Sequence, residues 1–227
     1  NGTPSNNLYL LDKDLLLTGT LQNIAPGEEI YAARYLGNTA YFITYENTDP
    51  LFAADLSDPD NPVLLGQLEI TGFSEYLHFW GKDKLLGIGY ETDPETGNRK
   101  GLKLVMFDIS DSADLKTIDS LILKNYSFSS ALYDYKCILA DTSKNMIGFT
   151  AEYDYITDDC YMDYNLFAWE DGHFVQKLKE PIRQEIISGT VRGLYINDIF
   201  YIANSLNITS YDRKNGFQPL SQIDLTQ

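Results

Sequence analysis

Three side chains form a constellation able to hold an anion: Arg34, His78 and Arg192. Arg34 and His78 occupy equivalent positions in two successive copies of an internal repeat, and Arg192 falls close to the same level in a later copy. Convergent guanidinium and imidazole groups bind carboxylate or phosphate through N–H donors and charge. The competing reading is structural, each cation pairing with an acid of a neighbouring repeat and riveting the repeats together. Catalysis finds less to work with. The only histidines are His78 and His173, neither near a G-x-S-x-G nucleophile turn, and among 33 acids no carboxylate pair is informative. Cys137 and Cys160 lack metal spacing, and a zinc site would need ligands the chain does not have. No metal and no cofactor are expected. The densest acidic segment carries Asp154, Asp158, Asp159 and Asp163, but it has no Gly and no EF-hand spacing, which favours a solvated hairpin tip over a Ca²⁺ loop. Its tyrosines, Tyr153, Tyr155, Tyr161 and Tyr164, suit docking of a protein or a carbohydrate.

The composition narrows the partners. A net charge of −16 speaks against nucleic acid, which needs a basic patch, and against an anionic membrane surface. At this level acidity mainly keeps a large sheet protein soluble. No apolar run approaches the roughly 20 residues of a membrane span. The first residues, Asn1 to Asn7, lack the basic and apolar regions of a signal peptide and read as a linker or cut point in a longer polypeptide. Tyr (17) and Phe (11) are abundant while Met and Trp are scarce, a bias towards pleated, half-buried surfaces.

The elements that must position these residues repeat. An apolar strand ending in an acid recurs five times: Leu8 to Asp12, Leu51 to Asp55, Leu104 to Asp108, Leu166 to Glu170 and Ile208 to Asp212. Each leads through a polar turn, such as Ser57 to Pro62 or Asp171-Gly172, into a further strand. All but the first are preceded by another strand pair, read at Tyr31–Leu36 and Ala40–Tyr45, Tyr76–Trp80 and Leu85–Tyr90, Ala131–Ala140 and Met146–Glu152, and Gly193–Ile196 and Ile199–Ala203. Four short strands every ~40 to 60 residues are the mark of a β-propeller blade. The pattern predicts an all-β propeller, one domain over 1–227, with complete four-stranded blades at 30–70, 75–123, 130–182 and 190–225 and the outer strand pair of a fifth at 8–24. It also predicts an incomplete part of a ring of roughly seven or eight blades. The repeated Asp12, Asp55, Asp108 and Asp212 are expected to accept backbone N–H groups of their turns and not to ligate metal. A β-sandwich would leave the fivefold unit unexplained.

With the repeat in register the chain resembles a family of secreted bacterial and archaeal proteins with a C-terminal β-propeller distantly related to WD40 repeats, the beta propeller domain family. The resemblance is carried by Ala33 to Gly37, Asp49 to Pro59, Leu64 to His78, Leu86 to Gly89, Gly101 to Asp111, Ala131 to Lys136 and Val191 to Ile196. It runs from about residue 30 to the C-terminus and is most specific between Asp49 and Ser110. The third blade departs from it, with an insert at Asp154 to Tyr164 and Glu170 in place of the repeated Asp. The resemblance implies export and a propeller. It brings no family catalytic residues.

The functional expectation is an extracellular, non-catalytic binding or scaffold propeller, secreted or at the cell surface, within a longer polypeptide. Arg34, His78 and Arg192 are its channel-lining candidates, and a hydrolase with a site at the channel mouth is the alternative. Cys137, placed along the first strand of the third blade, and Cys160, at the start of its third strand, point to opposite faces, beyond the Cα separation of roughly 4.4–6.8 Å that a disulfide needs. Both thiols are therefore expected free. Intact mass under non-reducing conditions should match the dithiol form, and a loss of two hydrogens would contradict it.

Overall fold

The computed structural model describes residues 5–45, 49–157, 160–183 and 191–225. These hold β-strands and three short 3-10 turns, with no α-helix among the described residues. The chain divides into two compact units, residues 1–120 and 121–227.

The first unit is built from three antiparallel sheets. Among the described residues β1 (Asn6–Leu11) pairs only with β2 (Leu17–Ile24). β3 (Glu29–Leu36), β4 (Thr39–Tyr45), β5 (Asp49–Asp55) and β6 (Val63–Ile70) form a four-stranded meander. So do β7 (Phe73–Phe79), β8 (Lys84–Thr92), β9 (Arg99–Asp108) and β10 (Lys116–Leu123), whose last residues pass the unit boundary. The middle strands are apolar on both faces because they pack between sheets. On β4 and β5, Ala40, Phe42, Phe52 and Ala54 meet Ile24 of β2, while Tyr41, Ile43, Leu51 and Ala53 meet Leu77, Leu85, Val105 and Phe107 of the next sheet. Side chains alternate with period two along a strand, so one strand fills two cores at once.

In the second unit, β13 (Met146–Thr157), β14 (Cys160–Glu170) and β15 (His173–Arg183) form one sheet. Its inner edge is split between β11 (Tyr126–Phe128) and β12 (Leu139–Asp141). A second meander runs β16 (Arg192–Ile196), β17 (Ile199–Ala203), β18 (Asn207–Asp212) and β19 (Gln218–Asp224). The split edge corrects the strand expected over Ala131–Ala140. Residues Ser130–Leu132 and Tyr135–Cys137 are 3-10 turns, the side chains of Ser129 and Asp134 accepting the amides of Ala131 and Lys136. Such local side-chain bonds compete with a sheet ladder. Cys137 therefore lies in a turn, buried and free, and not along a strand. The Cys160 side chain lies outside the described residues.

The repeated aspartates close their turns. Asp12 Oδ1 accepts the amides of Asp14 (2.8 Å) and Leu16 (2.9 Å), Asp55 Oδ1 that of Ser57 (2.8 Å), Asp108 Oδ1 that of Ser110 (2.9 Å) and Asp212 Oδ1 that of Lys214 (3.0 Å). Glu170 is followed by a different turn. Asp171 (φ 50°) and Gly172 (φ 82°) are both left-handed, the two-residue hairpin loop that matches strand twist without a capping side chain. Glu170 instead binds Lys177 Nζ at 2.7 Å.

Tyr164 shows how tightly the second unit is packed. It is fully buried, and a Cβ on Gly193 would stand 1.8 Å from its phenol oxygen. Gly193→Ala should destabilise the chain by about 1–3 kcal/mol through overpacking. A urea-unfolding midpoint equal to that of the unaltered chain would contradict this packing.

Candidate functional site

Arg34 and His78 sit on β3 and β7, the first strands of their sheets, and Tyr76 joins them. The Arg34 guanidinium carbon lies 5.3 Å from the Tyr76 ring centroid, within cation–π range. The Tyr76 and His78 rings are near-parallel, 10° apart in plane, and the Tyr76 hydroxyl is 3.2 Å from His78 Nδ1. Period two on β7 puts residues 76 and 78 on one face. Arg34 Nη1 donates to the Ala33 carbonyl at 2.8 Å. Among the described residues no carboxylate lies within ion-pair distance of Arg34, so the rivet of cation to acid is not its arrangement there. Burial pushes the Tyr76 phenol up and the Arg34 charge opposes it. The phenol stays neutral, a donor as well as an acceptor. Arg192 is exposed on β16 in the second unit, where its charge, after the Lys136 amide and the Cys137 thiol, helps hold the Asp134 carboxyl low.

Two polar networks escaped the reading of the sequence. In the second unit Asp163 is 1% exposed, which corrects its place in a solvated tip. Its Oδ2 accepts the hydroxyls of Tyr126 and Tyr153, the latter at 2.5 Å, and lies 3.2 Å from Lys179 Nζ. The two rings are 4.7 Å apart, with Lys179 Nζ 5.6 Å from each. Burial first, then the bond to Asp163, raises the Tyr126 phenol, and the bond to Tyr153 raises Lys179. Asp154, Asp158 and Asp159 of the same segment lie outside the described side chains. The available signal was strand alternation: Asp163 shares a face with Asn165, while Met162, Tyr164 and Leu166 take the other.

In the first unit Lys103 and Glu91 form a buried ion pair at 2.7 Å, their side chains 7% and 10% exposed. Lys103 Nζ also donates to the Thr71 carbonyl at 2.5 Å. Nearby, the Arg99 guanidinium lies 3.8 Å from the Tyr90 ring centroid and 3.9 Å from Glu75. Both arrangements tie together the same end of β7, β8 and β9. Chemically, Asp163 and Glu91 are spent on internal cations and hydroxyls, whereas Arg34 keeps donors to offer. Among the described residues no three His, Cys, Asp or Glu side chains gather in a metal-binding group.

A family model described as Beta propeller domain matches residues 1–215. An uncharacterized protein of Methanocaldococcus jannaschii is 36% identical over 220 residues, which are 97% of this chain and 32% of that protein. An uncharacterized protein of Archaeoglobus fulgidus is 34% identical over 220 residues, with the same shares covered. The chain thus spans about a third of the length of the curated relatives it matches. Among solved structures, the WD40 domain of SCAP from fission yeast aligns with a TM-score of 0.49 at 11% identity, covering 96% of this chain and 51% of that one.

The Asp163 network sets an alkaline limit. Tyr126 and Lys179 both titrate higher in the folded chain than in the unfolded one. Their stabilisation is therefore complete below pH about 10, the unfolded value, and is lost as pH rises through the folded values. Asp163→Asn should cost about 2–3 kcal/mol at pH 8. The gap to the unaltered chain should narrow above pH about 10.5 as these groups lose their protons in the unfolded chain while keeping them in the folded one. Urea unfolding at the two pH values checks this, and a gap independent of pH would contradict it.

Proposed function

We propose that this chain, which belongs to the beta propeller domain family, is a non-catalytic binding and scaffold module of a longer, exported polypeptide, and that Arg34, Tyr76 and His78 seat a carboxylate of its ligand. The observation that carries the reading is the state of Arg34. In a chain of 33 acids and 17 bases, a half-buried guanidinium would be expected to hold an internal carboxylate. Among the described residues Arg34 instead rests on Tyr76 and one backbone carbonyl. A guanidinium has five N–H donors, and its fork matches a carboxylate in two-point contact. Tyr76 and His78 stand beside it as further polar contacts. Carboxylates are carried by acidic peptides and by acidic sugars, so both a protein and a carbohydrate ligand fit this chemistry. Arg192, exposed on β16 of the second unit, faces the Asp134 carboxyl there and is left out of this site.

The non-catalytic part draws support from ionisation. A general acid or base works best with a pKa near the operating pH. Asp93 is drawn down to about 2, chiefly by Lys100, and Lys179 and Tyr126 are pushed up, so each keeps its ordinary charge near neutrality. Glu152 and Glu180 are the exceptions, burial raising both carboxyls, and a hydrolytic reading would have to use them. The longer polypeptide is supported by the relatives, of whose length this chain covers 32%. Export is what the resemblance to secreted proteins implies.

Calorimetric titration with acetate, a Glu-terminated tripeptide and galacturonate tests the site. At least one should bind, and Arg34→Gln should weaken it about tenfold or more, equivalent to about 1.4 kcal/mol. Binding indifferent to Arg34→Gln, or no binding by the unaltered chain, would overturn the assignment.

A further inference from the structure

The repeat leaves an unfilled position beside β1. In the larger sheets the strand that ends in the repeated acid, β5, β9, β14 or β18, is hydrogen-bonded along both edges. β1 leads to Asp12, which closes its turn as Asp55 does, so β1 and β2 correspond to the third and fourth strands of a sheet. Yet among the described residues β1 pairs with β2 alone. Among the described residues its other edge has no ladder partner, and such an edge is a template for a further strand.

The surroundings of that edge fit a strand with side chains to bury. An apolar hollow of about 210 Å³ opens beside it, lined by Leu8, Tyr9, Ile24, Ile30, Ala33 and Tyr35. Tyr9 and Leu11 are 57% and 53% exposed along β1, and Tyr35 is 62% exposed on β3. In the neighbouring sheet the equivalent space beside β5 is taken by β4, whose Ala40, Tyr41, Phe42 and Ile43 are all buried. The M. jannaschii and A. fulgidus relatives hold two thirds of their length outside the matched stretch, ample sequence for the missing strands.

We propose that β1 is the docking edge for two antiparallel strands of the same polypeptide, lying outside residues 1–227, which complete a four-stranded sheet. This rests on the reading of the chain as part of a longer polypeptide. The strand beside β1 runs antiparallel to it, opposite Leu8 to Asp12, in the register that Thr39↔Asp55 to Ile43↔Leu51 sets for β4 and β5. It is apolar on both faces, as β4 and β8 are. The strand inside it is half-exposed, as β7 is. A second copy fits less well. Two copies would bring together chains of net charge −16 each, and β1 against β1 would supply one strand where two are missing.

The test uses the polypeptide expressed from its complete reading frame, with p-benzoylphenylalanine in place of Tyr9. After irradiation, mass spectrometry should find a cross-link within one polypeptide to an apolar stretch outside residues 1–227. A cross-link to another copy, a cross-link to residues within 1–227, or no cross-link would overturn the proposal. Hydrogen exchange of the unaltered polypeptide guards against a misfolded variant. Amides of Asn6–Leu11 should be protected to within about tenfold of those of Leu51–Asp55, and exchange a hundredfold faster would overturn the proposal. The mass of the purified polypeptide separates the two readings. A mass of 25.7 kDa refutes the longer polypeptide and the docking together, whereas a longer polypeptide without the cross-link refutes the docking alone.

Discussion

The structure depends on middle strands that are apolar on both faces. Ala40, Tyr41, Phe42 and Ile43 of β4, with Leu51, Phe52, Ala53 and Ala54 of β5, are all 0–5% exposed, although successive residues point in opposite directions. Such a strand is stable only with a sheet on each side of it. Burying one large apolar side chain contributes about 1.5–3 kcal/mol, so a sheet with one face open forfeits several such contributions. Stacked repeats share this property: none buries its surface alone, and neighbours supply the cover. The hollow beside β1 is a place in the first unit where Tyr9 and Tyr35 stay more than half exposed.

Close stacking also dictates where glycine must stand. A Cβ on Gly89 would lie 1.8 Å from the Phe73 carbonyl oxygen, and one on Gly66 2.7 Å from that of Ser112. Neither position needs an unusual backbone angle; the requirement is room for a neighbouring main chain. Two ionic groups caught in the same packing are paired. Asp163 with Tyr126, Tyr153 and Lys179, and Glu91 with Lys103, are ionic groups in which each charge has an opposite partner. Removing Lys103 would leave Glu91 buried and uncompensated, and removing Asp163 would strip the Tyr126 and Tyr153 hydroxyls of their acceptor. These networks hold strand ends together and have little left to offer a ligand. Arg34 on the half-exposed first strand of its sheet is the contrast, because among the described residues it pairs with no carboxylate.

The sequence by itself determined the class of fold. Apolar strands ending in an acid, recurring with polar turns between them, specify antiparallel four-stranded meanders, because period-two alternation and turn chemistry are local properties. The role of Asp12, Asp55, Asp108 and Asp212 was legible for the same reason: a carboxylate reaches the amide two residues on without any help from the rest of the chain. The placing of Arg34 and His78 at one level was legible from the repeat, while Tyr76 as the link between them was not. That link depends on how β3 and β7 pack, which no residue spacing encodes.

Two outcomes escaped the reading of the sequence, the first in a contest between local bonding options and the second because tertiary packing alone decided it. The stretch around Ala131 has the apolar content of a strand, yet Ser129 and Asp134 turn it into 3-10 helix, since their side chains compete for the amides that a ladder would use. Asp163 belongs to a run of acids that reads as solvated, and it is buried because three donors from β11, β13 and β15 converge on one of its oxygens. Local chemistry is written residue by residue and can be read that way. Convergence of side chains from distant strands is a property of packing, and it becomes visible only once the sheets are assembled.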